Sequence, residues 1–159
     1  MKRPHLALLF ITFFLACRDG GLPPLQSPGN TKYYVDSMMG DDQAAGTSPE
    51  SAWRSLDRVN RTAFARGDAI LFKAGSRYSG RLSPNGSGKE GSPIVVDVYG
   101  EGLKPRIDAE GRFGEALLLK NQAYWEVNDL ELTNEGPTRE EFRYGVRVAA
   151  WDSGTMRHI

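Results

Sequence analysis

What most limits the folds open to this chain is a repeated short grammar: a turn launches a brief apolar run and a glycine soon stops it. In RGDAILFKAG, residues 66–75, Gly67-Asp68 is turn chemistry, because glycine takes positive φ freely and aspartate can bond its own turn. The run Ala69-Ile70-Leu71-Phe72 is too short for an ordinary helix and rich in β-favouring residues, so it predicts a short buried strand closed by Ala74-Gly75. The arrangement returns in GSPIVVDVYGEG, residues 91–102, and more loosely in GEALLLKNQ, residues 114–122. With 18 Gly and 9 Pro in 159 residues, turns are plentiful and long helices are not expected.

Short strands with frequent turns suit either a sandwich or a stack of repeated rungs, and spacing decides between them. Sliding the sequence by 29 positions puts Leu117 on Val146, Leu119 on Val148, Val127 on Met156 and Leu130 on Ile159. A looser slide of 23 puts Ile94 on Leu117, Val96 on Leu119 and Ile107 on Leu130. The surplus residues fall in the polar NEGPTREEFR, residues 134–143, which reads as a loop extruded from one rung. A sandwich needs tight hairpins, and PNGSG, residues 84–88, is the one good hairpin candidate. The spacing therefore predicts an all-β solenoid of parallel rungs.

Before the rungs, KYYVD (Lys32 to Asp36) predicts a first strand, followed by a loop crowded with Gly, Asp, Ser and Pro. Trp53, Leu56, Val59 and Asn60 then fall at helical spacing behind Ser48, Pro49 and Glu50, residues suited to a cap and first turn. They predict one short amphipathic helix, about Glu50 to Thr62, covering the open end of the stack.

The first 17 residues, MKRPHLALLFITFFLAC, have a basic start, an apolar stretch from Leu6 to Leu15 and a small Ala16. That is an export signal whose apolar part is too short to span a bilayer. FLAC resembles the lipobox of bacterial lipoproteins, so Cys17 is the expected lipidation site and membrane anchor, and the cell envelope or cell surface is the expected location. An ordinary cleaved signal is the alternative. Residues 18–31, RDGGLPPLQSPGNT, read as a flexible tether, and residues 32–159 as the folded unit. Lys+Arg 20 against Asp+Glu 20, with no basic block, offers no footprint for nucleic acid. Two histidines and one cysteine exclude a Cys/His zinc site made by this chain alone.

The segments YYVDSMMGDDQAAGTSPESAWRSLDRVN, GDAILFKAGSRYSGRLSPNGSG, GSPIVVDVYGEGLKPRIDAEG and YWEVNDLELTN together resemble the N-terminal part of secreted bacterial right-handed parallel β-helix proteins of the pectate-lyase-like superfamily. The resemblance covers about Tyr33 to Ile159. It implies an N-terminal cap made of the first strand, acidic loop and helix, then regular rungs with Asn134 at a corner. It implies action on extracellular, possibly acidic, polysaccharide by a lyase or glycosidase, with calcium as a possible cofactor. A non-catalytic glycan-binding or adhesin-type β-helix is the alternative. The family's chains usually run through more rungs and a C-terminal cap, whereas this sequence stops at SGTMRHI, so a truncated product without lyase activity of its own is expected.

Candidate site residues follow from chemistry and spacing. Asp41 and Asp42 in GDDQAAG are the candidate cation ligands, since calcium needs several converging oxygens. Asp129 and Glu131, one residue apart, would share a strand face. The 29-residue slide sets Asp129 beside His158 and Asn128 beside Arg157, so Asp129, His158 and Arg157 are the candidate catalytic groups. Among Tyr33, Tyr34, Trp53, Tyr78, Tyr99, Tyr124, Trp125 and Trp151, most should fill the interior. Trp125 and Trp151 are the candidate sugar-stacking residues.

Overall fold

Alternation decides which side chains enter the core. In the computed structural model, which describes residues 22–152 and 154–159, Ala69–Lys73 is a strand whose Ile70 and Phe72 are fully buried while Lys73 is exposed. The strands in chain order are β1 (Leu25–Gln26), β2 (Lys32–Val35), β3 (Thr62–Phe64), β4 (Ala69–Lys73), β5 (Arg77–Ser79) and β6 (Asn85–Gly86). They continue with β7 (Ile94–Tyr99), β8 (Arg106–Asp108), β9 (Glu115–Lys120), β10 (Trp125–Val127), β11 (Glu131–Thr133) and β12 (Tyr144–Ala149).

Every pair of named strands is parallel, and the pairs form four sheets: β1-β3-β6, β2-β4-β7-β10, β5-β8-β11 and β9-β12. The fold is thus all-β with parallel sheets, built as successive passes that visit the sheets in the same order. Each pass lays its apolar residues on those of the pass before. Tyr33, Ile70, Val96 and Val127 form one inward column, and Leu82, Leu117 and Val146 another. Tyr33, Ile70, Val96, Leu82 and Leu117 are buried, Val127 is half-buried and Val146 at the last pass is exposed. Burying each large side chain contributes roughly 1.5–3 kcal/mol, enough for a column to hold register against slippage.

Val146 pairs with Leu117 and Val148 with Leu119, as the 29-residue slide predicts. The second half of that slide fails. After Lys120 the chain turns one corner through Asn121, at φ 54, whereas after Ala149 it takes a wider turn in which Gly154 N–H donates to the Trp151 carbonyl. The extra residues bring Ala123 opposite Arg157, so Met156 does not fall on Val127 nor Ile159 on Leu130. The slide of 23 is also overturned. Ile94 lies opposite Trp125 and Ile107 opposite Leu132, because β9 belongs to a different sheet from β7.

Three further expectations are corrected. The helix from Glu50 to Thr62 is two pieces, a 3-10 turn at Pro49–Ser51 and α1 at Leu56–Asn60. Trp53 interrupts them: it forms a parallel bridge with Val35, its amide donates to the Tyr34 carbonyl, and its indole is fully buried. PNGSG makes no hairpin; Asn85–Gly86 pairs in parallel with Ala63–Phe64, and a Cβ at Gly86 (φ 114) would collide with the Phe64 carbonyl oxygen. The stretch read as a tether joins the fold from its described part onward, since Leu25–Gln26 pairs with Thr62–Ala63 and Ser27 is buried. The export signal and Cys17 lie outside the described residues.

The Gly67-Asp68 pair has a definite job. Asp68 is fully buried, and its carboxylate accepts from Thr31 N–H at 3.0 Å and from Ala65 N–H at 2.7 Å. One aspartate therefore fastens its own corner to the segment entering the preceding strand of the same sheet.

Candidate functional site

The outward residues of the β5-β8-β11 sheet make a polar surface beside open recesses. Strand alternation sends Tyr78, Ile107 and Leu132 inward and leaves Arg77 and Ser79, Arg106 and Asp108, Glu131 and Thr133 outward. Parallel register stacks them into two columns, Arg77-Arg106-Glu131 and Ser79-Asp108-Thr133. Arg106 is the hub. Its guanidinium meets Asp108 at 3.2 Å and Glu131 at 3.5 Å, and its Nε donates to Thr133 Oγ1 at 3.3 Å. Next to it Lys104 pairs with Asp129 at 3.0 Å, and Ser79 donates to Glu110 at 2.6 Å.

Two shallow recesses open on this face. One of about 260 Å³ is lined by Ser76, Arg77, Leu103, Lys104, Arg106 and Glu131, and one of about 180 Å³ by Arg77, Ser79, Arg106, Asp108 and Glu110. A larger recess of about 430 Å³ opens against the last pass, walled mainly by Leu117, Leu119, Trp125, Val127, Val146 and Val148. Leu117, Leu119 and Trp125 are core side chains while Val146 and Val148 are exposed, so this recess opens onto the apolar interior, with Glu126, Asn128 and Asp129 also lining it.

Burial pushes the Asp108 carboxyl up, but the Glu110 amide, the Thr133 hydroxyl and Arg106 more than offset this and hold it below the usual carboxylate range. Asp108 is therefore an anion and an acceptor. It is poorly suited to deliver a proton, which needs a raised pKa. Arg77, placed directly opposite Arg106, makes no ion pair among the described residues. Fixed carboxylates, guanidinium groups and hydroxyls at strand spacing present alternating acceptors and donors, which is what a row of sugar hydroxyls requires.

The sequence candidates distribute unevenly around this face. Asp129 and Glu131 lie at its edge and each contacts a cation of β8 or its approach, but Asp129 is a corner residue at φ 47 and does not share a regular strand face with Glu131. His158 is not beside Asp129: it stacks on Tyr124 with ring centroids 4.6 Å apart, and Arg157 bridges Ala123. The wider corner after Ala149 is the reason. Trp125 is 1% exposed with its indole donating to the Gly86 carbonyl, so it is core and not a sugar platform. Trp151 is half-buried against Lys120 and Arg147.

Asp41 and Asp42 do not fit calcium. Asp42 accepts from Arg54 N–H, Ser55 N–H and the Ser55 hydroxyl at 2.8, 2.9 and 2.6 Å, and Asp41 caps Gln43 N–H at 2.9 Å. Asp42 braces the entry to α1 and Asp41 its own loop, and among the described residues no group of three or more His, Cys, Asp or Glu is arranged to hold a metal ion. Asn134 does sit at a corner, bonding Gly111, Phe113 and Tyr144 backbone groups. Arg77, Arg106, Asp108 and Thr133 were missed by the sequence reading. The signal was present in RYS, RID and ELT, three polar-apolar-polar triplets that stack in register.

The relatives that comparison finds are carbohydrate-active enzymes. No family model matches the chain. It is 32% identical to a lacto-N-biosidase of Bifidobacterium longum subsp. longum over 157 residues, 82% of this chain and 10% of that protein. It is 32% identical to the alpha-1,3-galactosidase A of Akkermansia muciniphila over 102 residues, 60% of this chain and 17% of that one. The crystal structure of the GH136 lacto-N-biosidase from Eubacterium ramulus superposes with a TM-score of 0.65 at 30% identity, covering 70% of this chain and 22% of that chain. The chain thus spans between about a tenth and a fifth of the length of these relatives.

Proposed function

We propose that this chain is a glycan-binding segment of an exported glycoside hydrolase, built as the first coils of a right-handed parallel β-helix. The constant order of sheet visits supports the helix, and parallel crossover connections are almost always right-handed. The observation that carries the function is the Arg106-centred lattice on the outer face of the β5-β8-β11 sheet, in a chain similar to a lacto-N-biosidase and a galactosidase. Sugar hydroxyls donate to Asp108 and Glu131 and accept from Arg77 and Arg106, with Ser79 and Thr133 extending the row. The relatives' names favour hydrolysis over the elimination chemistry of a pectate lyase.

A second reading, a purely binding surface, has a specific support: the carboxylates here are ion-paired, and Asp108 is held ionised. Export and attachment to the cell envelope through Cys17 belong to the same proposal. Calorimetric titration of the chain lacking residues 1–17 with lacto-N-biose and with galactose tests it. Saturable binding that is lost in Arg106→Ala and weakened in Arg77→Ala supports the reading; no heat of binding with either sugar overturns it.

A further inference from the structure

The first pass of the stack displays large apolar side chains to solvent on a firmly held turn. Met38 and Met39, 77% and 81% exposed, follow β2, the edge strand of its sheet. The Asp36 carboxylate accepts from Met38 N–H at 2.9 Å and from Met39 N–H at 3.2 Å, and Gly40 N–H donates to the Asp36 carbonyl at 2.9 Å. A Cβ at Gly40 would collide with the Trp53 carbonyl, so the turn is pressed against the segment entering α1. Arg54 Nε adds a bond to the Gly40 carbonyl at 2.7 Å. At the other end of α1, Arg58 Nη1 donates to the Pro23 carbonyl at 2.9 Å and Leu25 N–H to the Arg61 carbonyl at 3.4 Å. These bonds fasten Pro23 and Pro24, both exposed. Exposed methionines and prolines thus flank the two ends of one short helix.

Five peptide steps separate Cys17 from Leu22, a reach of at most about 18 Å. A lipid on Cys17 therefore holds the first pass within that distance of the bilayer surface. We infer that in the anchored protein the first pass lies on the bilayer, with the Met38 and Met39 side chains in the headgroup–acyl boundary and the later passes stacking away from it. This rests on the Cys17 anchor proposed above. Methionine is flexible and apolar, which suits an irregular boundary. Two such side chains make a weak contact on their own, but a short tether raises their effective concentration to about the millimolar range. On the outward side of α1, Asp57 and Arg61 pair at 2.8 Å. Asp41, beside the methionines, caps Gln43 N–H and meets no cation among the described ion pairs. The fitting occupant is therefore a zwitterionic phospholipid surface, since an anionic one would face an unpaired carboxylate.

Without residues 1–16 the chain keeps three methionines, Met38, Met39 and Met156, and Cys17 is its only cysteine. That chain is coupled through Cys17 to a maleimide lipid in phosphatidylcholine nanodiscs. The methionine methyl NMR signals are then compared with and without a phosphatidylcholine spin-labelled near the top of its acyl chain. Met156, which follows β12 on the last pass, is the internal reference. The Met38 and Met39 signals should fall at least about twofold, as side chains in the headgroup–acyl boundary would, while Met156 stays unchanged. Equal loss at all three methyls, no loss at any, or loss only with a headgroup-labelled lipid would overturn the contact. Coupling supplies the lipid chemically, so the outcome is independent of lipidation in the cell, which Cys17→Ser partitioning tests separately.

Discussion

Removing the Asp68 carboxylate tests how the corners of this fold are fastened. In Asp68→Ala two backbone amides, Thr31 N–H and Ala65 N–H, lose acceptors at 3.0 and 2.7 Å. A buried donor left unpaired costs about 1–3 kcal/mol. Thr31 and Ala65 are only half-buried and water can reach them in part, so the lower part of that range applies to each. The sum is about 2–3 kcal/mol, or roughly 5–10 °C in Tm for a domain of this size. Asp68→Asn keeps one acceptor oxygen and should lose about half as much. Urea unfolding followed by tryptophan fluorescence measures both, because Trp53 and Trp125 pass from full burial to water. The reasoning fails if Asp68→Ala stays within about 0.5 kcal/mol of the wild type, the range of ordinary surface changes.

Other expectations are equally direct. Gly86→Ala should destabilise by more than about 2 kcal/mol, seen as a lowered urea midpoint, because its Cβ meets the Phe64 carbonyl of the adjacent strand and φ is positive. Burial pushes the Asp36 carboxyl up, but Lys73 at 2.8 Å and the Met38 and Met39 amides more than offset this and hold it below the ordinary value of 3.8. Its folded pKa is lowered, so the stability it gives is present above that value and lost as pH falls through the lowered one; Asp36→Asn should flatten the acid limb of a stability–pH profile. Burial, then the charges of Asp36, Tyr34 and Glu50, push the Tyr99 phenol up to about 12. Its contribution is present below the ordinary phenol range and lost as pH rises through the folded value. Burial and the Asp36 charge push the Tyr78 phenol up further still, so phenolate absorbance should show two late-titrating groups, Tyr99 before Tyr78, both moving earlier in Asp36→Asn. Cys17→Ser should move the protein from membranes to the soluble fraction, and unchanged partitioning would remove the anchor.

The sequence reading succeeded where one chain segment carries its own signal. The GD turn, the AILF strand and the Leu119–Val148 pairing were legible because turn residues and inward alternation are local. Registers between passes were less so. Corners consume different numbers of residues, as Asn121 and the Trp151–Gly154 turn show, so no single slide aligns all sheets. That is why Ile94 was set on Leu117 rather than opposite Trp125, and why His158 was set beside Asp129. Trp125 misled for a different reason: its flanking polar residues suggested exposure, yet strand alternation places the indole inward under Gly86. The outward Arg106 lattice was hidden because each triplet alone looks like an ordinary solvated strand.

The most direct test of glycan binding on the β5-β8-β11 face is amide chemical-shift mapping with lacto-N-biose. The account predicts saturable shifts at Arg77, Arg106, Asp108, Glu131 and Thr133, with the buried column of Tyr33, Ile70 and Val96 unmoved. Shifts absent from those five residues at saturating sugar, or confined to another surface, would contradict it.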